Sequence, residues 1–288
     1  MSGAATTDRV AELLAHPRYE VLPFGSVEEA VLEHVPLDVT LTVTVSPRKG
    51  IDHTLDVTQR LTTHGYSVVP HLSARLVRDR EHLADIVARV DEIGAHDVFV
   101  VAGDADEPAG EFIGAAPLLG AIAELGHRFE NVGITGYPES HPIIADETTI
   151  QAMFDKARFA TYIVSQICFD PTLTASWVER VWDRGTRLPI YVGIPGAVSR
   201  TKLMRVSASI GLGGSARFLR RHKSWFGHAL RPGGFSPDPL IAGLEPSLGD
   251  PERKIAGFHI FTFNDLADTE SWRQMKLEGC TLASEHAS

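Results

Sequence analysis

Cysteine and long apolar runs are both scarce in this chain of 288 residues. Cys168 and Cys280 are its two cysteines, too few for a disulfide framework or a cysteine-rich zinc site. No stretch reaches the ~20 apolar residues that a membrane-spanning helix needs. The first residues also lack the basic start and apolar core of a signal peptide. We therefore expect a cytoplasmic protein that does not span a membrane.

Positive charge is in deficit as well. The sequence holds 27 Lys and Arg against 37 Asp and Glu, which gives a formal net charge of −10. An acidic chain is repelled by the phosphates of nucleic acids and by anionic membrane surfaces, so neither is expected as a partner. Hydrophobic residues make up 43% of the chain, which is ordinary for a globular protein. The sequence leaves the oligomeric state open.

Several common catalytic motifs are missing. No Gly-x-Gly-x-x-Gly follows the first apolar run, and the glycine-rich Gly211-Leu-Gly-Gly214 follows a helical pattern instead of a strand. No serine or cysteine nucleophile has a general base at motif spacing, and no two histidines have the spacing His-x-x-x-His. We therefore expect no hydrolase of the serine or cysteine type and no metal site.

Short apolar, β-branched runs recur at even spacing and predict eight strands. From the second to the seventh, the runs start roughly 28 to 34 residues apart, which is the length of one strand, one helix and two loops. Helical patterns separate them. The predicted strands are Tyr19–Leu22, Asp38–Val45, Tyr66–Leu72, Asp97–Ala102, Asn131–Gly136, Thr161–Cys168, Pro189–Ile194 and Gly257–Phe263.

This alternation predicts an α/β fold, a (β/α)8 TIM barrel formed as a single domain over residues 1–288. Residues 1–18 would be an N-terminal extension, and residues 197–256 would add extra helices and a loop between the seventh and eighth strands. That interval contains a basic cluster, Arg217–Lys223, which fits either a solvated helix face or an anion contact. An open doubly wound sheet is the alternative fold.

Polar residues fall at the carboxyl ends of most predicted strands, where barrels of this kind carry their active sites. Each residue alone fits a solvated loop position, but their shared placement indicates one site at one mouth of the barrel. The residues are Glu20, Thr44, His71, Asp104, Tyr137, His141, Gln166 and Asn264.

The motifs around these residues resemble the methylenetetrahydrofolate reductase family. The most specific match is Tyr137-Pro-Glu-Ser-His-Pro142, which reproduces the family's Tyr-Pro-Glu-x-His-Pro. The resemblance runs from about residue 19 to 266 and implies the same (β/α)8 barrel. The other matching segments are Glu20-Val-Leu-Pro23, Pro70-His-Leu-Ser73, Ala102-Gly-Asp104, Val164-Ser-Gln-Ile-Cys-Phe-Asp170 and His259-Ile-Phe-Thr-Phe-Asn264.

The resemblance implies an NAD(P)H-dependent oxidoreductase of one-carbon metabolism and methionine biosynthesis. It would reduce 5,10-methylenetetrahydrofolate to 5-methyltetrahydrofolate, with hydride passing through FAD in the family. Glu20 would be the general acid, Asp104 would bind the pterin beside the flavin, and Gln166 would contact folate or nicotinamide. The positions that match flavin contacts are Thr44, His71, Gly103, Tyr137 and His141.

Two departures from the family pattern concern the flavin diphosphate. The family has an arginine where this chain has Ala102, and a lysine eleven residues before the strand-six glutamine, where counting back from Gln166 gives Asp155. Lys156 or Arg158 could replace that lysine, because the register is uncertain by a residue. Each lost cation–phosphate contact removes ~1.5–3 kcal/mol. We therefore expect FAD to be held weakly or not at all, with NADH as the hydride donor.

Two other functions remain open on the same scaffold. One is a tetrahydrofolate-dependent demethylase or methyltransferase, and the other is a folate-binding barrel without catalysis. Retention of Glu20 argues against the second, because a protein that only binds folate has no need of a general acid.

Overall fold

Eight strands and nine α-helices alternate along the part of the chain that the structure describes. This structure is a computed structural model, and it describes residues 3–139, 146–199, 202–203, 235–249 and 254–287. The strands are β1 (Arg18–Val21), β2 (Thr40–Val43), β3 (Val68–Ser73), β4 (Asp97–Val101), β5 (Asn131–Gly136), β6 (Tyr162–Ser165), β7 (Ile190–Pro195) and β8 (Ile255–Phe261).

The helices follow the strands in a regular order, preceded by one helix at the N-terminal end. A short 3-10 turn, Ala74–Leu76, follows β3. None of the described helices is long and apolar enough to cross a bilayer. The helices are α1 (Gly3–Ala15), α2 (Val27–His34), α3 (Gly50–Thr63), α4 (Arg80–Ile93), α5 (Ala115–Leu125), α6 (Asp146–Ala157), α7 (Pro171–Asp183), α8 (Asp238–Leu248) and α9 (Leu266–Ala287).

The strands form a closed parallel barrel in sequence order, and β8 pairs with β1. This confirms the predicted (β/α)8 barrel and excludes the open doubly wound sheet. The predicted strands differ from the observed ones by one to three residues at most ends, and β5 matches at both ends. Strand β8 lies two residues earlier than predicted, because Phe263 and Asn264 adopt positive φ angles and so leave the extended conformation.

The predicted additions to the barrel are described only in part. Within the 1–18 extension, α1 packs against α9. Most of the 197–256 interval, including the basic cluster Arg217–Lys223, lies outside the described residues. Helix α8 falls within that interval. The single-domain boundaries and the extra helices therefore stay predictions.

Side chains alternate between two cores along each strand. Tyr19 and Val21 on β1 belong to the large apolar core between the barrel and its helices. Arg18 points into the barrel, because it bonds Asp97 on β4 at 3.0 Å and Tyr162 on β6 at 2.8 Å, two strands that lie across the interior. Glu20, two residues further on, points the same way. The barrel interior is therefore polar at the amino end of β1 and carries a carboxyl towards the mouth.

A buried ion pair joins β1, α1 and α9 on the outside of the barrel. Arg273 on α9 donates to both Glu270 carboxylate oxygens at 2.8 and 2.9 Å, and to the carbonyl oxygens of Leu14 and Ala15 at 3.0 and 3.2 Å. The Tyr19 hydroxyl donates to Glu270 at 2.7 Å. The guanidinium thus gives hydrogen bonds to the last carbonyl oxygens of α1 as well as to the carboxylate.

We predict that Arg273→Ala lowers the free energy of unfolding by ~3–5 kcal/mol, because it leaves Glu270 buried without a countercharge. The measurement is urea unfolding followed by circular dichroism. Arg60→Ala is the matched control, since Arg60 pairs with Glu28 at the exposed surface and such pairs contribute ~1 kcal/mol or less. Equal losses in the two variants would show that the Arg273 network stabilises nothing beyond an ordinary surface pair.

Candidate active site

The Glu20 carboxyl lies against an imidazole at the seam where the barrel closes. Glu20 is paired with Phe261 of β8 in register, and its Oε2 is 3.3 Å from Nε2 of His259 on the same strand. The His259 side chain is 1% exposed and that of Glu20 is 15% exposed. One side of the carboxyl is therefore held by a buried partner while part of the group remains open to a ligand in the barrel mouth.

His71 on β3 is the second buried imidazole of this interior. Burial lowers its pKa to about 4, against an opposing effect of the Glu20 carboxylate, so the ring is neutral at pH 7. Its ring lies 4.8 Å from that of Phe99. His71 Nε2 and His259 Nδ1 have no hydrogen-bond partner among the described residues. A buried nitrogen without a partner is unfavourable, so a polar ligand group or water is the expected complement.

The end of β4 turns sharply before Asp104. Gly103 has φ of +93°, and a Cβ at this position would overlap the Ser73 side chain of β3. Glycine is therefore required for the turn, which presents Asp104 as an exposed side chain at the mouth. The structure thus gives Gly103 a conformational reason for its place in the motif.

Arg75, which lies beside this turn, uses its guanidinium for hydrogen bonds within the protein. Arg75, just after β3, donates to the carbonyl oxygens of Ala105 and Asp106, both at 2.6 Å, and more weakly to that of Ile113 at 3.4 Å. Its guanidinium fixes the loop between β4 and α5. Arg75 therefore does not replace the family's arginine at Ala102.

Tyr137 lies just beyond β5, within electrostatic reach of Asp104. Burial raises the pKa of the Tyr137 hydroxyl, and the negative charge of Asp104 raises it further. The structure therefore brings these two predicted site residues together. His141, predicted from the same motif, lies outside the described residues.

Gln166 and Thr44 are half-buried at the ends of β6 and β2. The Gln166 backbone N–H donates to the Gly136 carbonyl at 2.8 Å, and its side-chain oxygen accepts from the Ile167 N–H at 2.9 Å. The Thr44 backbone N–H likewise donates to a neighbouring strand, to the Val21 carbonyl oxygen at 3.0 Å. Both residues therefore lie at the predicted mouth, with the amide group of Gln166 folded back on its own backbone.

Asp155 and Lys156 lie on different sides of α6. Asp155 is exposed and accepts a hydrogen bond from Gln151 at 2.9 Å. Lys156 is buried, and its ammonium donates to the carbonyl oxygen of Thr135 on β5 at 3.3 Å. Burial lowers the pKa of Lys156 to about 8. The residue that reaches the strand end is therefore Lys156, one of the two replacements that the sequence left open.

The last strand contributes more to the site than the sequence indicated. His259, Thr262 and Asn264 belong to a matching motif but had no role assigned from it. In the structure His259 contacts the Glu20 carboxyl, and the Thr262 hydroxyl donates to the Glu20 carbonyl at 2.6 Å. Closure of the barrel makes these contacts, and residues 20 and 259 are too far apart in sequence for local spacing to reveal them.

Chemically, this arrangement suits proton transfer next to an aromatic and apolar wall. A carboxyl paired with a buried imidazole can hold and release a proton at the mouth. The Phe261 and His259 rings meet edge to face, with their centroids 4.9 Å apart. Within the described ranges, no three His, Cys, Asp or Glu side chains group as a metal site would need.

Comparison with known structures supports the barrel. The C-terminal domain of a candidate chitinase from Desulfitobacterium hafniense aligns with a TM-score of 0.53 and 12% identity, covering 91% of this chain and 99% of that one. A Yersinia pestis DHPS structure with a pterine-sulfa conjugate aligns with a TM-score of 0.46 and 12% identity, covering 93% and 95%. At 12% identity the first of these matches reports the shared fold alone, and no argument rests on the second.

Comparison with protein families is more specific. The family model described as methylenetetrahydrofolate reductase matches residues 29–211, well over half of the chain. The matched segment contains Thr44, His71, Asp104, Tyr137 and Gln166, whereas Glu20 and the β8 motif lie on either side of it. The predicted resemblance is therefore confirmed, and the chain belongs to the methylenetetrahydrofolate reductase family, whose members are oxidoreductases of folate metabolism.

Proposed function

We propose that this protein reduces 5,10-methylenetetrahydrofolate to 5-methyltetrahydrofolate, with NADH as the electron donor. The observation that carries the proposal is the Glu20 carboxyl, held by His259 inside the mouth of a barrel that belongs to this family. A barrel that only binds folate would need no general acid in this place.

In the proposed reaction Glu20 gives its proton to N10 of the substrate as the bond between N10 and the bridging methylene carbon breaks. The methylene carbon then remains on N5 as an iminium ion. That carbon takes a hydride from the reduced nicotinamide and becomes the methyl group, and NAD+ leaves. One proton and one hydride are consumed, and Glu20 regains its proton from solvent.

The other mouth residues would bind and orient the pterin. Asp104 is exposed at the end of β4 and can accept two N–H bonds from a 2-amino pterin ring. Gln166 would contact the folate or the nicotinamide once its amide turns away from Ile167. His71 is neutral, so its unpaired Nε2 can bond a ring without adding a charge beside the iminium ion.

The diphosphate half of the family's flavin site fits FAD poorly in this chain. Ala102 provides no cation, and Arg75 is bonded to three carbonyl oxygens. Of the two replacements that the sequence offered, Arg158 is exposed over the Phe159 ring and Lys156 reaches the carbonyl oxygen of Thr135 on β5. With Lys156 as a phosphate contact, one contact would be lost instead of two. One lost contact corresponds to ~1.5–3 kcal/mol, or one to two decades of affinity. We therefore propose that hydride passes directly from NADH to the folate.

We predict that Glu20→Gln lowers kcat by ~10²–10⁴-fold, because an amide cannot supply the proton. Folate binding should be nearly unchanged, since the amide has almost the same shape. Steady-state kinetics and equilibrium binding of methylenetetrahydrofolate give the two quantities. Glu33→Gln, at a side chain that is 73% exposed, is the matched control. Turnover near the unsubstituted level in Glu20→Gln would exclude the role.

We predict that the purified protein is colourless and oxidises NADH with methylenetetrahydrofolate without added FAD. The absorbance spectrum and the NADH assay test this together. Ala102→Arg should raise FAD affinity by 10- to 100-fold, whereas Asp155→Lys should change it little, because position 155 faces solvent. A yellow protein with stoichiometric FAD would contradict the proposal, and methyl transfer without NADH oxidation would favour the demethylase.

We predict that Lys156 contributes to NADH binding through the dinucleotide diphosphate, in a pH-dependent way. Its ammonium is charged below a pKa of about 8 and neutral above it, so the KM for NADH should rise as pH increases through 8. Lys156→Arg should remove this rise, because guanidinium stays charged, and Lys156→Met should have a high KM at every pH. An unchanged KM in Lys156→Met would exclude the contact.

A further inference from the structure

Two consecutive residues at the end of β8 adopt a backbone conformation that bulky side chains rarely take. Phe263 has φ of 49° and Asn264 has φ of 62°, and these are the two non-glycine residues with positive φ in the described part of the chain. Asparagine tolerates this region, but a phenylalanine there is strained. A strained backbone conformation of this kind persists where contacts with the surrounding structure hold it in place.

The turn places the Asn264 side chain against the backbone just after Glu20. Asn264 Oδ1 accepts from the Leu22 N–H at 2.8 Å, and Asn264 Nδ2 donates to the Leu22 carbonyl at 2.9 Å. The amide therefore forms both hydrogen bonds that a paired strand would form. Register pairing between β1 and β8 stops at Glu20 and Phe261, so the side chain takes over where the backbone pairing ends.

The preceding residue of the same turn holds Glu20 itself. The Thr262 hydroxyl donates to the Glu20 carbonyl at 2.6 Å, and it accepts from the Asn264 N–H at 3.2 Å. Thr262 is fully buried. The backbone on both sides of the Glu20 side chain is thus fixed from one turn, while His259 contacts the carboxyl from the same strand.

We infer that Asn264 is a positioning residue for Glu20: its amide clamps Leu22 and so fixes the carboxyl of the proposed acid at the barrel mouth. The inference rests on the proposed function of Glu20. A proton transfer depends on placement to within about 1 Å, and a displacement of that size costs ~10²-fold in rate. The clamp acts through the backbone, because both polar atoms of the Asn264 amide bond Leu22.

The test begins with Asn264→Gly, which removes the amide while glycine accepts the positive φ without strain. We expect kcat to fall by ~10- to 100-fold and the KM for methylenetetrahydrofolate to stay within about twofold. Asn264→Asp keeps the acceptor for the Leu22 N–H and loses the donor, so its kcat should lie between those of the unsubstituted protein and Asn264→Gly. Asn131→Gly, at the opposite end of the barrel, controls for the general effect of the same substitution.

A readout apart from activity is hydrogen exchange of the Leu22 amide, followed by mass spectrometry. Exchange should accelerate in Asn264→Gly and stay slow in Asn264→Asp and in Asn131→Gly. Thr262→Val should lower kcat in the same way as Asn264→Gly, whereas Thr262→Ser, which keeps the hydroxyl, should restore it. Fast exchange at Leu22 with an unchanged kcat would overturn the inference.

A double-variant cycle separates this inference from the proposed function. If Asn264 acts through Glu20, Asn264→Gly should cause no further loss of kcat in the Glu20→Gln background. An equal loss in both backgrounds would overturn the positioning role and leave the proposed acid intact. If Glu20→Gln alone leaves kcat unchanged, the proposed function fails and the inference fails with it.

Discussion

Closure of the barrel between β1 and β8 is the constraint on which the candidate site depends. Residues at the two ends of the sequence meet there, so Glu20 gains His259, Thr262 and Asn264 as neighbours only after all eight strands have paired. An open sheet would leave the carboxyl on an exposed edge strand. The same closure packs α9 against α1 on the outside, where Arg273 joins them. Closure of the barrel therefore completes both the fold and the surroundings of Glu20.

The two ends of the barrel interior differ in whether the buried polar groups have hydrogen-bond partners. At the amino ends of the strands, Arg18 bonds Asp97 and Tyr162 and lies 4.2 Å from the Tyr162 ring centroid, so these charges are fully paired. Towards the mouth, His71 and His259 each keep a ring nitrogen without a described partner. A buried polar atom without a protein partner is usually hydrogen-bonded to water or to a ligand. The ring nitrogens without a described partner thus mark the mouth as the place where a polar ligand would bind.

The sequence predicted the barrel well because its main signal, apolar runs at even spacing, is periodic and local. Strand β5 matches at both ends, whereas β8 is displaced because local pattern cannot show that Phe263 turns out of the strand. Motifs placed Glu20 and Asp104 at the correct strand ends. The Glu20–His259 contact spans nearly the whole chain, and no local pattern encodes it. Counting along α6 left Asp155, Lys156 and Arg158 as alternatives, and one position matters there because it rotates a helical side chain by 100°.

That rotation changes the electrostatic argument about the cofactor. An exposed Asp155 next to Gln151 has little influence on a diphosphate at the end of β5, because water screens it. A buried Lys156 has much more influence, because the interior screens its charge less. Under the proposed function, Lys156 would offer one cation to one dinucleotide. Among the described residues, Ala102 brings no cation to the second phosphate, and Arg75 cannot turn towards it without releasing the loop after β4. The proposal therefore favours a dinucleotide that binds, reacts and leaves over one that stays bound.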